Sequence, residues 1–120
     1  MDLRKKLLAF TETLIFTDDL LRLAGDDTLY AIQNALLENP LLGDVIKGTS
    51  GARKGRTGDP NRRLGKSGGL RFIYIYLEKN ERFYLLSIYS KKENTDLTPQ
   101  QAVELGHFVR EIKKIYNETE

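Results

Sequence analysis

Two strand-like runs, separated by a short polar stretch, constrain this chain more than any other feature. Leu70-Arg71-Phe72-Ile73-Tyr74-Ile75-Tyr76-Leu77 and Phe83-Tyr84-Leu85-Leu86-Ser87-Ile88-Tyr89 are rich in aromatic and branched side chains, which suit a pleated, packed surface. Glu78 to Arg82 lies between them as a five-residue turn. The pattern predicts a β-hairpin, and since both faces of each run are largely apolar, the hairpin belongs in the centre of a sheet. The rest of the fold has to be built around it.

The flanking sequence supplies the remaining elements. The middle of Lys6–Phe16 reads as a first strand. Thr17 ahead of Asp18 and Asp19 suits an N-cap, opening a short helix that ends near Gly25. Asp26 or Asp27 can cap a second helix with Leu29, Ile32, Ala35 and Leu36 on one side, stopped by Asn39-Pro40. Gly43–Ile46 and Ala52–Arg56 read as short strands, and Thr57–Gly69 as a mobile loop. Thr98-Pro99-Gln100-Gln101 is a capping box with proline at the first helical position, and Leu105, Phe108, Val109, Ile112 and Tyr116 form an apolar stripe behind it. The expectation is one α+β domain spanning 1–120. Its antiparallel sheet would have about four strands, with two N-terminal helices and a C-terminal helix packed on one face.

Charge is distributed unevenly. The net charge is +2, but residues 47–71 carry Lys47, Arg53, Lys54, Arg56, Arg62, Arg63, Lys66 and Arg71 against Asp59 alone, a local balance of +7. Such a segment concentrates polyanions and suits phosphate contacts. At 40% hydrophobic and 30% charged residues the chain is too apolar for a disordered one. Its apolar stretches fall well short of the ~20 residues a bilayer span needs. Leu7–Phe10 is too brief for a signal-peptide core, so a cytoplasmic protein with no membrane association is expected.

Most familiar chemistries lack their residues. With no cysteine, disulfides and thiolate metal sites are excluded. His107 is the only histidine and lies off the apolar stripe of the last helix, where it should face solvent. No Ser/His/Asp set can be built without another histidine. Helix termini and exposed faces account for the carboxylates, and no Walker A motif occurs. Neither a metal nor a cofactor is expected. What remains is lysine, arginine and tyrosine near strand ends. Arg71 interrupts an apolar strand, where a charge is costly to bury unless paired, so it should face a concave polar surface. A hairpin closing at Glu78–Arg82 brings Arg71 and Lys91 to the same open end.

The series Asn39-Pro40, Gly43-Asp44-Val45-Ile46, Gly48-Thr49, Gly51-Ala52-Arg53-Lys54, Gly68-Gly69-Leu70-Arg71, Tyr89-Ser90-Lys91-Lys92-Glu93 and Asp96-Leu97-Thr98 resembles, in order and spacing, the RelE/ParE superfamily of type II toxins. The HigB-like branch is the nearest in pattern. The resemblance covers about residues 10 to 116. Ala52 and Gly55 depart from it, standing where bulkier apolar residues are usual. Lys66-Ser67 replaces a more basic stretch, and Lys92 an asparagine.

The resemblance implies a RelE-like toxin, itself monomeric, restrained by a helix-turn-helix antitoxin of the HigA kind. It implies entry into the ribosomal A site and cleavage of the mRNA there. Metal-independent cutting by 2′-OH attack needs a base, cations around the phosphorane, and an acid for the departing oxygen. Arg71, with Arg56 assisting, suits the phosphate, since guanidinium grips two oxygens and stays charged. Lys54 and Lys91 are the candidates for proton transfer, with roles unassigned between them. Arg53, Arg62, Arg63, Lys66 and Lys92 would hold the RNA backbone. Two other readings share the fold: a ParE-like inhibitor of DNA gyrase, and a degenerate relative that keeps only antitoxin binding.

Overall fold

The computed structural model describes residues 8–58, 69–93 and 96–118. Strand β1 (Ala9–Glu12) leads into helices α1 (Leu14–Leu23) and α2 (Asp26–Glu38). Strands β2 (Asp44–Val45), β3 (Arg53–Thr57), β4 (Leu70–Leu77) and β5 (Arg82–Ser90) follow, and helix α3 (Pro99–Ile115) comes last. The strands form one five-stranded sheet in the order β1-β5-β4-β3-β2. The hairpin is central, as expected. The sheet is mixed, however, because β1 runs parallel to β5 while every other pairing is antiparallel.

The helices cover both faces of the sheet, not one. Phe16, Leu20, Ile32 and Leu36 of α1 and α2 pack on Leu70, Phe72, Tyr74, Phe83, Leu85 and Ile88. Val109 and Ile112 of α3 pack with Ile73, Ile75, Leu77, Leu86 and Tyr89 on the other side. The physical reason lies in the hairpin itself. Both faces of β4 and β5 carry large apolar side chains, each worth roughly 1.5–3 kcal/mol when buried, so neither can be left to water. A bulge after Ile73 shifts the β4–β5 register by one residue, turning both Leu86 and Tyr89 toward α3.

Several termini differ from expectation. Helix α1 is capped by Thr13, not Thr17. The Thr13 hydroxyl accepts from the Phe16 amide at 3.0 Å and donates to the Leu86 carbonyl at 2.9 Å, a contact with β5 that local sequence does not reveal. Thr17 instead donates to Glu12 at 2.8 Å. Helix α2 starts after Gly25 with no side-chain cap, so Asp26 and Asp27 lie in its first turn, where they favour the helix dipole. The Thr98 capping box is present as expected. Phe108 leaves the predicted stripe and is 47% exposed. Gly106 lets α3 approach the preceding loop closely, since a Cβ there would lie 2.7 Å from the Gly48 carbonyl oxygen.

Tyr74 ties the central strand to the turn after α2. Its hydroxyl donates to the Leu42 carbonyl at 2.7 Å and lies 3.1 Å from that of Pro40. Burial pushes this phenol up to about 12, partly opposed by the nearby Arg53 charge. The folded state therefore holds its proton more tightly than the unfolded chain. This contribution to stability is full below pH 10, the ordinary value, and is lost as pH rises toward about 12. Tyr74→Phe should cost about 1–2 kcal/mol at neutral pH. It should also flatten the alkaline fall in stability, as read by urea unfolding across pH 8–12 (roughly the span of the titration).

Candidate active site

The register of the sheet builds a cationic row. Arg56 of β3 sits opposite Arg71 of β4, and Arg71 sits opposite Tyr89 of β5. Directly paired residues project to the same face, and Lys54, two residues before Arg56, shares it. All four thus stand on the side covered by α3, beyond that helix's apolar contacts with Ile73 and Ile75. At the open end of the hairpin the Lys91 amide lies 3.4 Å from the Gly69 carbonyl, extending the pairing past Leu70 and Ser90. Arg71 and Lys91 therefore share the end that the turn length predicted.

Arg71 is 4% exposed, an uncommon location for a guanidinium, and its Nη1 lies 3.4 Å from its neighbour's carbonyl at Leu70. Arg56, Lys91 and Lys92 are exposed around it. One acid enters this group. Asp96 accepts a 2.5 Å hydrogen bond from the Lys54 ammonium. That bond, with the Lys54 charge and weaker fields from Lys91 and Arg71, holds its carboxyl below the usual range. Burial pushes the Tyr89 phenol up, and Asp96 adds to this while Lys54 and Arg71 oppose it. Asp96 thus lies within electrostatic reach of Lys54, Lys91 and Arg71, and Tyr89 within that of Lys54, Asp96 and Arg71.

The other expected RNA contacts are distributed differently. Arg53 projects to the opposite face, where it donates to the carbonyls of Leu41 at 3.0 Å and Gly43 at 2.9 Å and anchors the turn ahead of β2. Lys92 stands beside Lys91 on the turn that follows β5. Arg22 of α1 braces that turn by an ion pair to Glu93 at 3.1 Å. Arg62, Arg63 and Lys66 lie outside the described residues, as does most of the loop expected between Thr57 and Gly69. His107 is exposed on α3, its Nδ1 2.9 Å from Arg110. Among the described residues, no group of three or more His, Cys, Asp or Glu side chains could hold a metal ion, and no helix is long and apolar enough to cross a membrane.

No family model matches the sequence. Two solved structures of the E. coli RelE toxin do match the architecture. An arginine-to-alanine double mutant in the free state aligns with a TM-score of 0.55 over 81% of this chain and 95% of its own, at 16% identity. The isolated toxin aligns with a TM-score of 0.52 over 90% of this chain and 98% of its own, at 14% identity. The chain has the RelE fold. At these identities the likeness is one of backbone, so the chemistry of the site has to be argued from its own side chains.

Within this RelE fold, two members of the cluster escape sequence reading. Tyr89 is hidden by the bulge: the register the turn implies sets Ile88 against Arg71, and the extra residue puts Tyr89 there instead. Asp96 gives only a weak signal, an acid a few residues beyond two lysines. The Asp96 carboxyl should titrate below 3.8, its ordinary value, in a carboxyl-carbon NMR titration, and Lys54→Gln should return it toward that value. A depressed carboxyl contributes to folding above its unfolded pKa and loses that contribution as pH falls through the folded one. The Lys54–Asp96 pair should accordingly persist at neutral pH and dissolve only in acid below the usual carboxylate range.

Proposed function

We propose that this chain is the toxin of a type II toxin–antitoxin pair and that it cleaves mRNA on the ribosome. The observation that carries the reading is the convergence of Lys54, Arg56, Arg71 and Lys91 at one end of a RelE-fold sheet, with Asp96 as their acidic neighbour. A phosphodiester brought there meets two guanidinium groups and two ammonium groups. Arginine matches the planar spread of phosphate oxygens, and fixed cations stabilise the extra charge of a phosphorane.

The reaction fitting these groups uses the RNA's own nucleophile. The 2′-oxygen attacks phosphorus as its proton passes to a base, forming the P–O2′ bond. The P–O5′ bond then breaks, and an acid supplies a proton to the departing oxygen. A 2′,3′-cyclic phosphate and a 5′-hydroxyl result. Arg71 and Arg56 hold the phosphate, while Lys54 and Lys91 are the proton carriers within reach. Lys92 extends the backbone contact. Delivery of the substrate by the ribosome would provide the alignment that a shallow cationic surface lacks by itself.

Toxins of this kind need a protein that restrains them. Leu14, Ile15 and Leu21 on α1 are each more than 60% exposed, which supports a protein partner on that side. An antitoxin with a helix-turn-helix segment is the partner this reading expects, with the toxin itself a monomer.

A translating extract tests the proposal. Added protein should break mRNA at discrete positions and leave 5′-hydroxyl ends. Arg56→Ala and Lys91→Ala change exposed positions, and each should slow cutting by about 10²–10³-fold without unfolding the protein. Arg71→Ala combined with Lys91→Ala should abolish it. Intact transcripts together with a DNA-damage response in cells would sink the nuclease reading and favour a gyrase inhibitor.

A further inference from the structure

A cleft of about 600 Å³ opens beside the cationic row, between β2, Tyr89 and the start of α3. Its size is that of a small-ligand site. Ile46, Leu97 and Ala102 give it apolar walls, the Tyr89 ring lies along it, and Lys54 and Asp96 form the boundary it shares with the phosphate site. Asp44 also lines it, directly opposite Lys54 in the β2–β3 register. The Asp44 carboxylate is exposed and makes no side-chain hydrogen bond or ion pair among the described residues.

We propose that this cleft seats the nucleobase adjoining the held phosphate, and that Asp44 and Asp96 make it select guanine. The inference rests on the nuclease reading for its biological setting but not for its chemistry. Flat apolar walls and an aromatic ring suit the faces of any base. The edges discriminate. A carboxylate offers acceptors only, and it pairs best with two donors lying side by side. Guanine presents that pattern in its N1–H and exocyclic amino group. Adenine and cytosine each set a ring acceptor beside their amino donor, and uracil flanks its one N–H with two carbonyls. Lys54 links the two sites: a phosphate that draws its ammonium away from Asp96 frees that carboxylate to accept from the base.

Titration of the isolated protein with the four nucleoside 5′-monophosphates, followed by amide NMR shifts, tests the cleft directly. GMP should bind about 10-fold more tightly than AMP, CMP or UMP, with the largest shifts at Val45, Ile46, Leu97 and Ala102. Asp44→Asn replaces an acceptor pair with one donor and one acceptor. It should erase the guanine preference and improve AMP relative to GMP, a reversal that mere loosening of the fold would not produce. Equal affinity for all four nucleotides, or a ranking unchanged in Asp44→Asn, would overturn the proposal. In a translating extract the wild-type breaks should adjoin guanine, and Asp44→Asn should move them off it. Breaks indifferent to the neighbouring base would remove this inference and leave the nuclease intact. A GMP preference in a protein that breaks no mRNA would keep the nucleotide site and remove the nuclease.

Discussion

The pairing of β4 with β5 is the constraint from which the rest of the molecule follows. Nearly every side chain of β4 is buried, and they alternate between two apolar clusters on opposite faces of the sheet. A strand of this kind cannot sit at an edge or expose a face, because each large apolar side chain returned to water costs a few kcal/mol. It needs a strand on both sides and a layer above and below. Strands β1, β3 and β2 need only extend the sheet, and β2 does so with two residues. Helices α1 and α2 close one face and α3 closes the other. The long hairpin thus sets the order of layers, and it fixes where the sheet has an open end.

Arg71 breaks that apolar order. Like-charge pairing with the arginine of the adjacent strand is unfavourable, and burying a guanidinium costs desolvation that its partners have to offset. An apolar residue would fit β4 better if folding were the only requirement. The arrangement makes sense if the row is meant for an anion, whose binding would offset the repulsion between the like charges. The bulge after Ile73 matters for the same reason. Without it, Ile88 would face Arg71; with it, the Tyr89 phenol does, between the cations and the cleft.

The sequence exposes those features whose cause is local. Alternating aromatic and branched residues announced the hairpin, and the capping box fixed the start of α3. The turn length placed Arg71 and Lys91 together. Features set by distant contacts were hidden. Thr13 outcompetes Thr17 as a cap because it can also reach the Leu86 carbonyl across the fold. The parallel placement of β1 depends on which edge β5 leaves open. Arg53 and Lys54 are adjacent in the chain and equally basic, yet the pleat sends one to a backbone anchor and the other into the site. Composition alone could not separate them. Asp96 was hidden for a related reason, since its importance comes from the cations the fold brings to it.

The Lys54–Asp96 pair also shows how a cationic site can stay both stable and available. Lys54, Arg56, Arg71 and Lys91 bring like charge to one face, and a buried counter-ion would offset it at the cost of blocking the surface. An ion pair at the surface avoids both problems, because interactions of this kind contribute little to stability and exchange readily. Its geometry is short enough to orient Lys54. Under the proposed reading, the pair's access to solvent would let a phosphate held by Arg56 and Arg71 compete for the same ammonium. In that reading the carboxylate would stay at the border of the neighbouring cleft, where a negative acceptor repels phosphate but can accept hydrogen bonds from a base. On the proposed assignment, one side chain would separate the region of the site that holds the backbone from the region that reads what is attached to it.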